Sequence, residues 1–595
     1  MRKCLVARSS ILARMLALML ALMLAPTAAH ADAGADLKTL VDDYWAAVLK
    51  ESPTLASSLG DDRQAGQVSD YSLAGQDRFA IASVDYLARL NEISEGQLNA
   101  ESKIEYAILQ RTLYGTIEAN TFGQRSINFS TYSGWHQNFA SLADNSPFRN
   151  KADYESYNAR LKQYAQVNDQ AIAVANTAIK GKYTLPCEVL GGYEKSISGL
   201  IKADERKSRY FQPYAGKRPD TVSEDDWNGL AAQAIATINA IINPALQKHL
   251  AWYATRYKPA CAKTPGVSSQ PGGADYYNFR IQQETTTNLN AEQIHILGLT
   301  EVTRIRAEMV GVAQTAGYDS LDAFIQHLRT DPQFYAKTPE ELMEKVARVT
   351  KTIDGKMPGL FNRLPRLPYG IKEIPAEIAE GTTTAYYQPG SPAIGIAGTY
   401  YVNTSKLDQR PFWEIPALSM HEAVPGHHNQ IALQQELALS DFRKHGVFFT
   451  AFVEGWGLYS ERLGIEIGLY DTPAKDMGRL SYEMWRAMRL VVDTGIHAKG
   501  WSKAKAIQYM TDNSAMSAAN IEAEVNRYIS WPGQALAYKI GELKIRELRE
   551  LATKELGAKF SLPAFHDVVL GQGPVPLDVL DQMVKDWIAT EKAKD

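Results

Sequence analysis

Apolar residues recur at intervals of three and four along most of this chain, the spacing that puts one stripe along one face of an α-helix. The pattern runs through Leu37 to Leu49, Phe79 to Leu90, Ile104 to Ile117 and Tyr157 to Ile179. It continues through Asp225 to Tyr253, Ala291 to Ala316, Ser320 to Leu328 and Pro339 to Lys356. These stripes are read as the core-facing sides of long helices. One region departs from the habit: between Thr382 and Asn403, β-branched and aromatic residues punctuated by Pro and Gly predict short strands. The stretch from Lys263 to Gly273 is rich in Pro, Gly and Ser and is the expected seam between a helical part over 32–270 and a second over 271–595. No fixed-period repeat is present.

At 595 residues, with 45% hydrophobic and 22% charged content, the chain is long enough for a large buried core. Residues 1–31 read as a secretory signal: Arg2, Lys3, Arg8 and Arg14 lead into an apolar run from Met15 to Ala25, followed by Ala29-His-Ala31. That run is too short to span a bilayer, so the expected product is exported, to the periplasm in a bacterium, without stable membrane insertion. Losing the signal removes four basic residues and no acidic ones, taking the net charge from −4 to −8. Such a balance argues against nucleic acid as a partner. Cys187 and Cys261 are too few for a thiolate metal site; they suit one disulfide or two buried thiols.

The candidate chemistry lies in Ser419-Met-His-Glu-Ala-Val-Pro-Gly-His-His-Asn429 and in Val453-Glu-Gly-Trp-Gly-Leu-Tyr-Ser-Glu461. Histidines beside a glutamate, with a further glutamate downstream, make up the ligand inventory of a zinc hydrolase. His421 is the natural first ligand and Glu454 the third. Glu422 lies about 100° round the helix from His421, a placement that suits a general base better than a ligand. A plain His-Glu-x-x-His helix is excluded, because position 425 is Pro. A bulge at Pro425-Gly426 would bring His427 back beneath His421; an uninterrupted helix would instead offer His428, roughly 10 Å along the same face. Three histidines within eight residues, in a chain with 11, are hard to read as ordinary helix polarity.

Other residues complete the candidate set. The strands before the metal motif, with Tyr400 among them, could hold an extended peptide along an unpaired edge. Asp493 and His497, four apart on a helix, suit a carboxylate that orients an imidazole toward an oxyanion. Tyr538, with Tyr528 as rival, could donate to the same oxyanion, and Arg527 or Lys539 could grip a substrate carboxylate. Glu461 is placed to fix the tautomer of a ligand histidine.

The phrases Glu414 to His428, Glu454 to Glu461, Arg489 to His497 and Pro532 to Gly541, in that order, resemble the bacterial family catalogued as domain of unknown function 885. More distantly the layout is similar to the helical gluzincin peptidases: thimet oligopeptidase, neurolysin, carboxypeptidase Taq and dipeptidyl peptidase III. The resemblance implies a mainly α, two-lobed, zincin-like body with a deep central channel and a small β-sheet next to the metal helix. Dipeptidyl peptidase III carries one extra residue before its second histidine, and aligning its Gly-His pair on Gly426-His427 favours His427 as the second ligand. Glu454-Gly-Trp resembles the Glu-Gly-Phe around the glutamate ligand of zinc aminopeptidases. The implied activity is zinc-dependent hydrolysis of short peptides. The alternatives are a metal-free peptide-binding or scaffold protein on the same fold, and a zinc hydrolase of non-peptide amides or esters.

Overall fold

The computed structural model describes residues 32–130, 133–379, 382–392 and 395–594; the expected secretory signal at 1–31 lies outside them. The fold is mainly α with one small sheet. The N-terminal stripes become the helices Ala33–Glu51, Leu73–Asn91 and Ala100–Ala119, started by side-chain caps from Asp32, Ser72 and Asn99. The stripe from Tyr157 to Ile179 is broken at Gln163 into Lys151–Lys162 and Tyr164–Gly181. Periodicity could not show this break, because apolar positions continue on both sides of it. Ahead of Pro244, which has no N–H to donate, the helix Glu224–Thr237 widens into a π turn over Ile238–Ile242 and resumes at Asn243–Trp252.

The strands are β1 (Tyr369–Glu373), β2 (Ala385–Gln388) and β3 (Gly398–Val402). Their order is β1-β3-β2, with β1 parallel and β2 antiparallel to β3. The strand directly before the metal motif is therefore the central one. A free edge is found instead on the outer side of β2, which no described strand covers.

Seven helices frame the candidate site: α1 (Ala291–Thr315), α2 (Ile415–Glu422), α3 (His427–Glu436), α4 (Thr450–Leu463), α5 (Pro473–His497), α6 (Ala518–Ser530) and α7 (Ala537–Leu556). A reciprocal capping box between Asn290 and Gln293 starts α1; Thr472 with Pro473 starts α5, and Ser517 starts α6. Every residue of α2 is buried. Leu418 and Ala423 pack into one apolar core with Tyr482, Met484 and Met488, whereas Met420 and Val424 pack into a second with Trp456, Phe452 and Leu536. Each core draws residues from both sides of position 270.

Helices α4 and α7 meet backbone to backbone. A Cβ built on Gly541 would lie 1.8 Å from the Ala451 carbonyl oxygen, and one on Gly455 would lie 2.5 Å from the Gly541 Cα. Cys187 and Cys261 are joined in a disulfide, with Cα atoms 5.0 Å apart and a sequence separation of 74. Close by, the Val267 N–H donates to His497 Nδ1, which ties the glycine-rich segment to the end of α5.

Gly541→Ala is expected to lower the unfolding free energy by about 1–3 kcal/mol. Gly311→Ala, on the exposed face of α1 with nothing within 4 Å of the new Cβ, is expected to raise it by about 0.5–1 kcal/mol. Chemical denaturation of both variants checks the contrast.

Candidate metal centre

Helix α2 ends at Glu422 and α3 begins at His427; between them the chain turns sharply through a cis Val424–Pro425 bond. Trp456 Nε1 donates to the Pro425 carbonyl at 2.8 Å, and the His428 N–H donates to Ala423 O at 3.0 Å. Gly426 lies flat against the end of α2, where a Cβ would come 1.8 Å from the His421 carbonyl oxygen. The break swings His427 back toward His421, and the two rings stand edge to face with centroids 4.7 Å apart.

Glu454, one turn into α4, completes the group. Ligand atoms of His421, His427 and Glu454 all lie within 4.8 Å of one another. Glu454 Oε2 is 3.5 Å from His421 Nε2 and 3.4 Å from His427 Nε2. It is buried and has no hydrogen-bond partner. Burial alone would raise this carboxyl, but the two imidazoles hold it well below the usual carboxylate range.

The ring of His421 is fixed from behind. Its Nδ1 lies 2.8 Å from Glu461 Oε1, and Arg486 Nη2 approaches the same oxygen at 3.4 Å. An N–H donated to Glu461 leaves Nε2 as the nitrogen with a free lone pair, facing Glu454. Burial opposes a charge on His421, yet Glu454 and Glu461 raise it to about 9. Gly457 makes room for the ring: a Cβ there would lie 2.8 Å from His421 Cε1 and 2.9 Å from Nε2. That space explains the Gly-Trp-Gly spelling after Glu454, with the glycine for the ring and the tryptophan for the Pro425 carbonyl.

Glu422 is 9% exposed and acts electrostatically on His421 and on the Tyr400 phenol. Tyr400 itself is fully buried on β3 beside Ser419, so its side chain offers no open contact surface. Tyr538 lies nearly parallel to His421, with centroids 6.3 Å apart, and the Arg489 guanidinium sits over its ring, 4.3 Å from the centroid. Its phenol is raised by burial and by Glu454, with Arg489 and Arg527 working the other way.

Several expected roles are corrected by placement. His428 points away from the trio toward the sheet, with Nδ1 3.0 Å from the Tyr387 hydroxyl. Asp493 and His497 do not pair. His497 accepts from the Val267 N–H and has Nε2 3.0 Å from Tyr528 O, so backbone engages both nitrogens; burial lowers it to about 4. Asp493 instead accepts from the Tyr277 hydroxyl at 2.6 Å and from the Gly533 N–H, and burial raises it to about 7. Lys539 is fully buried and bridges Glu301, Glu483 and Glu542 at 2.8–3.0 Å, so its charge is spent inside the packing. Arg527 is held by Glu524 at 3.1 Å and by Gln534 at 2.5 Å. Tyr528 accepts from Trp485 Nε1 and Arg489 Nε, both at 3.0 Å. Arg486 and Gly457 were not singled out from the sequence. The usable signal was a pair of guanidiniums, Arg486 and Arg489, inside the otherwise apolar run from Met484 to Leu490.

The chain belongs to the DUF885 family, described as bacterial protein of unknown function, whose model matches residues 53–584. No curated protein matches it. Among solved structures, it is similar to one described as a "putative lipoprotein" from Colwellia psychrerythraea, with TM-score 0.86 and 28% identity over 94% of this chain and 100% of that one. It is also similar to a second such protein "of unknown function" from Shewanella oneidensis, with TM-score 0.69 and 18% identity over 92% of this chain and 99% of that one. The second likeness concerns the fold alone.

Two outcomes are expected of the metal-free protein. His421 is raised in the fold from an ordinary value of 6.5 to about 9, so the stability it contributes is complete below about pH 6.5 and is lost as pH rises through 9. Thermal melts across that window should show the loss, and Glu461→Gln should shrink it. Gly457→Ala should disturb the His421 environment in histidine NMR spectra while costing about 1–3 kcal/mol of stability.

Proposed function

We propose that the chain is a zinc-dependent hydrolase of peptide bonds in short peptides, built on a gluzincin-like, two-lobed fold with a central channel. The observation that carries this reading is the convergence of His421, His427 and Glu454 around an orphaned, buried carboxylate oxygen. The 3.4 and 3.5 Å separations from that oxygen suit a shared ion better than direct hydrogen bonds. Ligand atoms about 2.0–2.1 Å from a tetrahedral zinc stand roughly 3.3 Å from one another. Two imidazoles and one carboxylate also leave one tetrahedral position open, as catalytic zinc sites do.

Held by His421, His427 and Glu454, a zinc ion would supply a Lewis acid to polarise a peptide carbonyl and make water a nucleophile near neutral pH. The chain's own groups do the rest. Glu461 keeps the proton of His421 on Nδ1. Glu422 takes a proton from the attacking water as the carbon–oxygen bond forms, then delivers it to the amine as the carbon–nitrogen bond breaks. Tyr538, beside His421 and backed by Arg489, donates a hydrogen bond to the developing oxyanion. Arg527 is too firmly engaged to bind substrate without giving up Glu524 or Gln534. The signal-like N-terminus, the Cys187–Cys261 disulfide and the lipoprotein description of the similar Colwellia psychrerythraea structure support export, with the periplasm as the site of action.

Glu422→Gln is expected to lower kcat on a short-peptide library by about 10²–10⁴-fold with metal content unchanged, and undiminished turnover would overturn the role. His427→Ala should lose the metal, as read by elemental analysis of untagged protein. Titrating zinc into metal-free protein at neutral pH should release a proton, since the raised His421 is then protonated; calorimetry in buffers of different ionisation enthalpy measures it.

A further inference from the structure

The trio and Glu422 leave a neighbouring polar cluster without a task. On α5, the Arg486 guanidinium lies 4.7 Å over the Tyr482 ring and 4.5 Å over Trp485. One end of Arg486 reaches Glu461, the carboxylate that holds His421, at 3.4 Å. Its Nε–H and the Tyr482 hydroxyl are buried and have no hydrogen-bond partner. Well over nine in ten buried polar groups are satisfied in native proteins, because an unmet donor costs its full desolvation. An acceptor brought by a ligand would satisfy both donors of this stack.

The surroundings state the sign of that acceptor. Glu414, immediately before α2, and Arg410 are both only partly buried. Burial raises the Glu414 carboxyl to about 7 against the electrostatic pull of the Arg410, Arg486 and Arg329 guanidiniums, and Arg410 Nη1 donates to the Thr384 hydroxyl at 3.2 Å. The Tyr400 phenol neighbours both Tyr482 and Glu422, which joins this cluster to the reacting groups. Cationic and hydroxyl donors together, beside a hydrolytic base, fit a carboxylate.

Resting on the hydrolase reading above, we infer that Arg486, Arg410 and Tyr482 form a subsite for a substrate carboxylate next to the bond that is cut. The carboxylate is supplied either by the free C-terminus of a peptide or by an acidic side chain. Calorimetry on full-length Glu422→Gln protein, which should not turn the ligands over, separates these sources with three probes: N-acetyl-Ala-Ala, N-acetyl-Ala-Ala-amide and N-acetyl-Ala-Glu-amide. At least one of the two carboxylate probes should bind about tenfold or more tighter than N-acetyl-Ala-Ala-amide. A preference for N-acetyl-Ala-Ala alone identifies a terminal carboxylate, and a preference for N-acetyl-Ala-Glu-amide identifies a side chain.

Adding Tyr482→Phe, which keeps the ring, should reduce only the carboxylate preference; Arg410→Gln should do the same and Arg410→Lys should restore part of it. Equal binding of all three probes, no binding of any at millimolar concentration, or a Tyr482→Phe effect shared by acid and amide would overturn the subsite. Wild-type hydrolysis is scored independently. Carboxylate preference without turnover retires the hydrolase reading and keeps the subsite, whereas turnover without preference does the reverse.

Discussion

A single histidine ring, set between two apolar cores, is the constraint on which the candidate centre depends. His421 sits on a helix with no solvent face and cannot select its own orientation against water, so its neighbours do it. Glu461 grips one nitrogen, Glu454 faces the other, and Gly457 supplies the space. Each comes from α4, and α4 is itself held at close range by α7 through Gly455 and Gly541. Close packing of two glycines thus helps to set where the imidazole points. Burying so many charges requires them to satisfy one another, and the chain answers with chains of ion pairs rather than isolated ones.

The same requirement accounts for much of what surrounds the site. Lys539 with its three carboxylates ties α7 to α1 and α5, and Arg489 with Glu524 ties α5 to α6. These pairs fix four helices around the metal motif. Among the groups that remain unmatched are Glu454 Oε2, Arg486 Nε and the Tyr482 hydroxyl.

Much of this was legible in the residues. The helices with one exposed face announced themselves by period, and the β-branched segment after Thr382 yielded β2 and β3. His421, Glu422 and Glu454 stood out by type and spacing. Helix α2 was legible only as a motif, because a helix buried all round has no stripe. The choice between His427 and His428 turned on backbone geometry at Val424 to Gly426, which spacing alone leaves open. Lys539, His497 and Asp493 were misplaced for one shared reason: polar residues on a helix look alike in sequence whether they face a cavity or one another. Arg486 was passed over because its partner, Glu461, lies 25 positions away in a different helix.

The antiparallel pairing of β2 with β3 gives the open sheet edge a polarity. Gln388 lies opposite Thr399 and Ala385 opposite Val402. An extended chain that joins the outer edge of β2 in antiparallel fashion must travel in the same sense as β3, entering near Gln388 and leaving near Ala385. Its tail is then directed toward Thr384, the residue that Arg410 holds. Antiparallel addition therefore assigns a head and a tail to a segment that lies along that edge.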